Sequence, residues 1–127
     1  MSCFWDTLLR NIKKEDITNV LGISSHTPLD FCSALQTNNC KTGNVLWNGS
    51  KLTGKQYDEN IEWINEYKPD TIQNGYDCSV FDPFLLLITE LFRIEIMHVY
   101  NGIMIDYKHK EEPKYKIKLQ SNKNHMW

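Results

Sequence analysis

Two residues near opposite ends of the chain, a cysteine and a histidine, have side chains that could act together in nucleophilic thiol chemistry. Cys3 begins a segment of helical character, and His125 follows a segment of strand character. A cysteine attacks a carbonyl carbon as its thiolate, which the N-terminus of a helix favours because its free N–H groups stabilise negative charge. A histidine within hydrogen-bond distance takes the thiol proton and later returns it to the leaving group. Cys3 and His125 are therefore the candidate nucleophile and base.

The residues alone favour a structural interpretation of Cys3, because free cysteines are usually buried and inert. The other cysteines are weaker candidates for a nucleophile. Cys32 falls on the apolar face of a predicted helix, and Cys40 falls in a polar loop. Cys78 comes four residues before the start of a predicted helix at Asp82. Among the four cysteines, only Cys3 is therefore predicted to lie at the N-terminus of a helix.

The histidines differ in the same way. His98 lies within a predicted strand and His109 in a charged loop, which indicates structural or solvated roles. His26 precedes a helix cap and is expected at the surface. His125 alone combines a strand end with the apolar neighbours of a groove wall, which include Trp127. The chain is large enough to fold without disulfides and shows no export signal, so we expect reduced thiols. The scattered spacing of cysteines and histidines is not that of a zinc site, so we expect no metal or cofactor.

Composition limits the classes of function. The chain has 127 residues, 41% hydrophobic and 24% charged, with a net charge of −2, which is typical of one soluble domain over 1–127. This balance favours neither nucleic acid nor a membrane surface as partner, and the basic segment 107–118 is interrupted by Glu111 and Glu112. The longest apolar run, "FLLLI", is too short to cross a bilayer. With no secretory signal visible, a cytoplasmic location is expected.

Helices are predicted through most of the first half, and a sheet in the second. Amphipathic patterns and caps predict helices over 3–12, from Lys14 to Leu21, from Pro28 to the Asn38–Asn39 pair, and from Thr53 to Pro69. "NVLWNGSKLTG" predicts a short strand and a turn.

The second half begins with a helix capped by Asp82-Pro83 and apolar on most sides, which predicts a central buried helix. "IEIMHVY", "IMIDY" and "KYKIKLQ" alternate like strands, and Asn101-Gly102 between the first two is a hairpin signal. The expected fold is α+β, with N-terminal helices and a small antiparallel sheet in the C-terminal half.

Three segments resemble the ovarian-tumour (OTU) family of papain-like cysteine proteases, in order and spacing. "SCFWDTLLRN" resembles the nucleophile segment of that family. "FDPFLLLITELFRIEIMHVYNG" resembles its later helix and the strand that follows. "KIKLQSNKNHMW" resembles its last strand and its catalytic histidine–aromatic pair. The small size is similar to OTU domains encoded in viral polyproteins, whereas residues 13–75 add almost nothing to the match.

The resemblance implies a thiol protease or deubiquitinase of the papain-like fold, with Cys3 as nucleophile and His125 as general base and acid. Its substrates would be ubiquitin or ubiquitin-like conjugates, a viral polyprotein, or both, and a viral enzyme would act in the host cytoplasm. Trp5 beside the nucleophile and Trp127 beyond the base would line a narrow channel for a glycine-type residue. Both tryptophans are equally compatible with a place in the core.

Two positions depart from the family pattern. Trp127 stands where many members carry Asp or Asn, so Asn122 or Asn124 would orient the imidazole, or the enzyme would use a Cys–His dyad. The Asp-Gly turn that precedes the family's cysteine is replaced by Met1 and Ser2. Three explanations stay open: a fragment of a longer chain, an oxyanion site built differently, or a degenerate domain that only binds. Such a binding module would hold its partner through aromatics such as Trp47, Trp63 and Trp127.

Overall fold

The computed structural model describes residues 3–69 and 82–121 of the protein. Over these residues the helices are α1 (Cys3–Asn11), α2 (Lys14–Leu21), α3 (Pro28–Thr37), α4 (Gly54–Glu66) and α5 (Asp82–Phe92). The strands are β1 (Val45–Trp47), β2 (Ser50–Lys51), β3 (Glu95–Tyr100), β4 (Ile103–His109) and β5 (Lys116–Ser121). The predicted α+β class is confirmed. None of the described helices combines the length and the apolar character that crossing a membrane requires.

Local side-chain chemistry sets several of the element ends that the sequence predicted. Thr27 caps α3, whose first residue is Pro28, a position where no N–H is needed. Thr53 and Gln56 form the predicted capping box, in which each side chain accepts a hydrogen bond from the other residue's backbone N–H, at 3.1 and 2.8 Å. Gly22 ends α2 with a φ of 70°, in the left-handed region that suits glycine.

The hairpin between β3 and β4 also follows from its turn residues. Asn101 and Gly102 have φ angles of 49° and 81°, the left-handed pair that a tight two-residue turn requires. The strands pair antiparallel from Glu95 opposite Lys108 to Tyr100 opposite Ile103. The predicted hairpin is therefore confirmed.

The sheet order differs from the predicted antiparallel arrangement. The order is β2-β1-β4-β3-β5, and β5 pairs with β3 in parallel. The reason lies at the outer edge of β4, where β1 already pairs with Tyr107 to His109. The remaining edge belongs to β3, and the loop after β4 crosses the start of β3 to reach it, held by a hydrogen bond of 2.8 Å from the Lys114 N–H to the Arg93 carbonyl. The sheet is consequently mixed.

Helix α5 is buried between the sheet and the other helices, as its apolar composition predicted. It contacts β4, β1 and β3 on one side and α2, α3 and α4 on the other. Its buried side chains run from Phe84 to Phe92. On β3, successive side chains alternate between the two faces of the sheet. Ile96 and His98 are buried on one face, whereas Met97 lies on the other face and is half-exposed. Each fully buried aliphatic side chain contributes about 1.5–3 kcal/mol, so α5 supplies much of the stabilisation of this core.

Candidate functional site

The candidate nucleophile occupies the predicted position in the fold. Cys3 is the first residue of α1, which is nine residues long and has Asp6 in its first turn. The start of a helix presents N–H groups that have no partner inside the helix. The backbone environment therefore fits a thiolate, as the sequence indicated. His125, Asn122, Asn124 and Trp127 lie outside the described residues.

Trp5 joins the start of α1 to the start of α5. Its indole is 2% exposed and packs edge-on against Phe84, with ring centroids 4.8 Å apart. Phe4 and Phe31 contact the same indole at centroid distances of 5.0 and 6.0 Å. Edge-to-face aromatic pairs add about 0.5–1.5 kcal/mol each to the burial of their area. Of the two roles that the sequence left open for Trp5, channel wall or core, the structure places it in the core.

The start of α5 is joined in turn to the sheet. The buried Tyr107 hydroxyl on β4 donates a hydrogen bond to the Asp82 carboxylate, at the first residue of α5. Burial, followed by the charge of Asp82, raises the pKa of Tyr107 above its ordinary value, so the hydroxyl keeps its proton. Trp47 on β1 stacks on the Tyr107 ring at 6.5 Å with an interplanar angle of 14°.

The end of β5 is held to the neighbouring strand β3 by a buried pair of polar side chains. His98 Nε2 on β3 and Ser121 Oγ lie 2.5 Å apart and share a hydrogen bond. His98 is 2% exposed and Ser121, the last residue of β5, is 4% exposed. Burial lowers the pKa of His98, and the charge of Asp82 partly opposes that change. The imidazole is therefore neutral near pH 7 and within electrostatic reach of the first residue of α5.

These contacts define one part of the molecule, the α5 N-terminal corner, formed by Trp5, Asp82, Phe84, His98, Tyr107 and Ser121. The opposite end of α1 lies elsewhere, because the Lys13 N–H donates a 3.2 Å hydrogen bond to the hydroxyl of Tyr115, just before β5 begins. The α5 N-terminal corner thus collects the start of α1 and the end of β5. The chain continues from Ser121 to His125 over four residues, which span at most about 14 Å.

The His98–Ser121 pair has the atoms of a serine nucleophile and its base, but not the exposure. A serine hydrolase needs its hydroxyl open to a substrate carbonyl and next to donors for the oxyanion. Ser121 and His98 are both buried, under the sheet face that α5 covers. We therefore interpret the pair as structural.

The thiols that the structure describes in full are not activated. Cys32 is fully buried on α3, as predicted, and burial raises the pKa of its thiol to about 12. Cys40 is half-buried, and burial followed by the charge of Glu90 raises its pKa as well. A nucleophilic cysteine needs the opposite shift. Cys78 lies outside the described residues.

A second polar cluster lies at the other end of α5. Glu90 accepts two hydrogen bonds from Asn44, one from its backbone N–H and one from its side-chain amide, both at 2.9 Å. His109 Nε2 lies 3.7 Å from the same carboxylate, and its Nδ1 accepts from the Glu111 N–H at 3.1 Å. The prediction that His109 lies in a charged loop is wrong. It is the buried last residue of β4, because Val45 pairs with it and extends the strand.

The aromatics of the predicted binding module are partly occupied by internal contacts. Trp47 is half-buried against Tyr107. Trp63 is 39% exposed, but it stacks on Tyr67 at 5.6 Å and packs edge-on against Phe84 at 5.8 Å. Both rings therefore take part in aromatic contacts that stabilise the fold. Trp127, the third of that set, lies outside the described residues.

Within the described part of the chain, no three metal-ligating side chains form a group that could hold an ion. Comparisons with protein-family models, with curated proteins and with solved structures gave no match.

Proposed function

We propose that this chain is a thiol protease in which Cys3 is the nucleophile and His125 the general base and acid. The observation that carries the proposal is the α5 N-terminal corner. There the start of α1 packs on Phe84 through Trp5, and the end of β5 is bonded to His98, on which the charge of Asp82 acts. Cys3 begins α1, and His125 follows β5 by four residues. Those four residues span at most about 14 Å, and the proposal places the His125 imidazole beside the Cys3 thiol within that reach.

The reaction would proceed in two steps through an acyl-enzyme. The Cys3 thiolate attacks the carbonyl carbon of the scissile amide, and the imidazolium of His125 gives its proton to the departing amine. His125 then takes a proton from water as the hydroxide adds to the thioester, and the carboxylic acid leaves while Cys3 is restored. Donors for the oxyanion are expected at the free N–H groups that begin α1.

The substrates that the family resemblance supports are ubiquitin or ubiquitin-like conjugates, or a cleavage site in a viral polyprotein. Both would present a small residue at the scissile bond. Asn122 or Asn124 would hold the His125 imidazole, because an amide oxygen can accept from its Nδ1–H. Otherwise the pair would act as a dyad. Such an enzyme would act in the cytoplasm, that of the host cell if the chain is viral.

Labelling with ubiquitin that carries a C-terminal electrophile tests the proposal directly. We expect one adduct per folded chain, located on Cys3 by peptide mapping and lost in His125→Ala. Two variants serve as matched controls. Cys40→Ser removes a half-buried thiol, and His26→Ala removes a half-exposed imidazole whose partner is the Thr18 hydroxyl, at 3.0 Å. Both should react like the wild type.

Three results would change the assignment. Labelling that His125→Ala leaves unchanged, or that spreads to Cys40, would contradict a Cys3–His125 pair. Reaction with a glycine-terminated peptide electrophile, but not with ubiquitin, would shift the substrate to a polyprotein site. Non-covalent binding of ubiquitin by folded protein that forms no adduct would instead identify a catalytically degenerate binding module.

A further inference from the structure

The imidazole of His98 is buried among apolar strands, which is a costly place for a polar group that only packs. Its one hydrogen-bond partner among the described residues is Ser121, at 2.5 Å, and its Nδ1 has none there. A leucine or isoleucine would fill this place on β3 without an unpaired nitrogen, as Ile96 does two residues earlier on the same face. The hydrogen bond to Ser121 is therefore what the imidazole adds to this position.

Ser121 is held at two points, which fixes both its backbone and its side chain. Its carbonyl accepts a 3.0 Å hydrogen bond from the Asn101 N–H, in the tight turn between β3 and β4. Its hydroxyl bonds to His98 on the face that α5 covers. Strand ends usually fray, but this one is attached to a turn and to the core.

We propose that His98 is a positioning residue of the protease: through Ser121 it fixes the end of β5, from which the chain continues to His125. The inference rests on the proposed function. His98 itself does not touch substrate. Its contribution is to hold the strand end at the α5 N-terminal corner, so that the base four residues later stays in reach of the thiol. Misplacement of a catalytic group by about 1 Å can reduce the rate about a hundredfold.

The charges around His98 favour a stable attachment. Asp82 is the charged group that acts on the imidazole, and it raises the pKa, but burial has the larger effect and lowers it. The ring is consequently neutral at neutral pH and can share one hydrogen bond with a hydroxyl. Tyr107, on the neighbouring strand, donates its hydrogen bond to the Asp82 carboxylate, whereas the hydrogen bond of His98 is to Ser121.

The test combines two readouts on the same variants. Hydrolysis of ubiquitin with a fluorogenic C-terminal amide gives kcat and KM, and the pH dependence of Cys3 alkylation by iodoacetamide, mapped by peptide, gives its thiolate pKa without any substrate. For Ser121→Ala and His98→Leu we expect kcat to fall at least about tenfold with KM little changed. We also expect the alkylation midpoint to move up toward that of an ordinary thiol, about 8.5.

Conservative variants separate positioning from stability. Ser121→Thr keeps the hydroxyl and His98→Gln keeps a polar side chain that can reach it, so both should recover most of the activity and of the alkylation profile. Thr89→Val is the matched control, because it removes another buried hydrogen bond, from the Thr89 hydroxyl to the Leu85 carbonyl at 2.8 Å, in the middle of α5. It should lower stability comparably and leave the alkylation midpoint unchanged.

The outcomes are distinguishable. An active wild type whose Ser121→Ala variant keeps its kcat and its alkylation midpoint overturns the inference alone. Equal losses in Thr89→Val would also overturn it, because the effect would then be one of general destabilisation. A wild type in which Cys3 alkylates like an ordinary thiol, and in which His125→Ala changes nothing, overturns the proposed function and this inference together.

Discussion

The hydroxyl of Tyr107 connects the middle of the sheet to the first residue of α5, and its removal tests how firmly the α5 N-terminal corner is held. Tyr107→Phe keeps the buried ring and its stacking on Trp47, and removes the hydroxyl that donates a hydrogen bond to Asp82. The ring is fully buried, whereas Asp82 is half-exposed. Most of the effect should therefore come from the lost bond rather than from a cavity.

The magnitude follows from the charge of the acceptor. A hydrogen bond to a charged group contributes about 1.5–3 kcal/mol to stability. Water can reach the half-exposed carboxylate of Asp82 after the substitution, which favours the lower end of that range. We expect the free energy of unfolding to fall by about 1.5–2 kcal/mol. For a chain of this size each 1 kcal/mol corresponds to about 3–6 °C in Tm.

A double-mutant cycle isolates the pair. Urea unfolding of the wild type, Tyr107→Phe, Asp82→Ala and the double variant gives the coupling energy, which we expect at about 1–2 kcal/mol. Asp82→Ala alone should lower the free energy of unfolding by somewhat more than the coupling energy. The reason is that a carboxylate in the first turn also interacts favourably with the helix dipole, by about 0.3–1 kcal/mol.

Tyr57→Phe is the matched control for the loss of a hydroxyl. Tyr57 is a buried tyrosine on α4 for which the described residues supply no hydrogen-bond partner, although Lys41 lies 4.9 Å above its ring. Its substitution should change the free energy of unfolding by less than about 0.5 kcal/mol. A coupling between Tyr107 and Asp82 below about 0.5 kcal/mol would refute the reasoning, since the two groups would then be adjacent without stabilising each other.

Two further substitutions address other parts of the fold. Burial, and then the hydrogen bond and charge of Glu95, raise the pKa of Asp106 to about 6, so the protonated form that stabilises the fold is lost as pH rises from about 4 to 6. In thermal unfolding scans, Asp106→Asn should therefore raise Tm above that of the wild type at about pH 7.5 and leave it unchanged at about pH 4. A variant whose Tm equals that of the wild type at both pH values would contradict this. Glu90→Ala removes both carboxylate oxygens that accept hydrogen bonds from Asn44, and in urea unfolding it should lower the free energy of unfolding by about 2–5 kcal/mol. Glu90→Gln should lower it by less. A decrease under about 0.5 kcal/mol for Glu90→Ala would show that the cluster with His109 contributes little to stability.

The sequence was sufficient for the features that depend on neighbouring residues. The Thr53–Gln56 capping box and the Asn101–Gly102 turn are set within four residues of chain, so their residue types specify the local geometry. The burial of α5 followed from its composition, because a helix that is apolar on most sides has to be covered on most sides.

The pairing of strands depended on distant residues and was predicted less well. Whether β5 joins β3 or β4 is decided by β1, which lies more than fifty residues earlier and occupies the edge of β4. The buried position of His109 had a usable signal, since Ile105, Tyr107 and His109 alternate on one face of the strand. Its charged neighbours suggested a loop instead.

The candidate site likewise has one part that depends on neighbouring residues and another part that depends on distant residues. Cys3 at the start of a helix could be predicted from the residues that follow it, and its position is confirmed. His98 and Ser121 are 23 residues apart, and nothing in their types or spacing indicates that they meet. Their contact arises only because β5 pairs in parallel with β3, the feature of the sheet that the sequence did not predict.

The polar contacts at the two ends of α5 hold different parts of the fold. We expect those at its end to affect stability alone, and those at its start to affect the candidate site as well. At its end, Glu90 holds the loop at Asn44 and the last residue of β4, far from the start of α1. At its start, Asp82 and Phe84 meet β4 and α1, the elements around the candidate site. Glu90 lies eight positions after Asp82 along the helix, a distance of about 12 Å, so the contributions of the two residues to stability should be nearly additive. Among substitutions on α5, those at its start should therefore alter the reactivity of Cys3, whereas those at Glu90 should leave it unchanged.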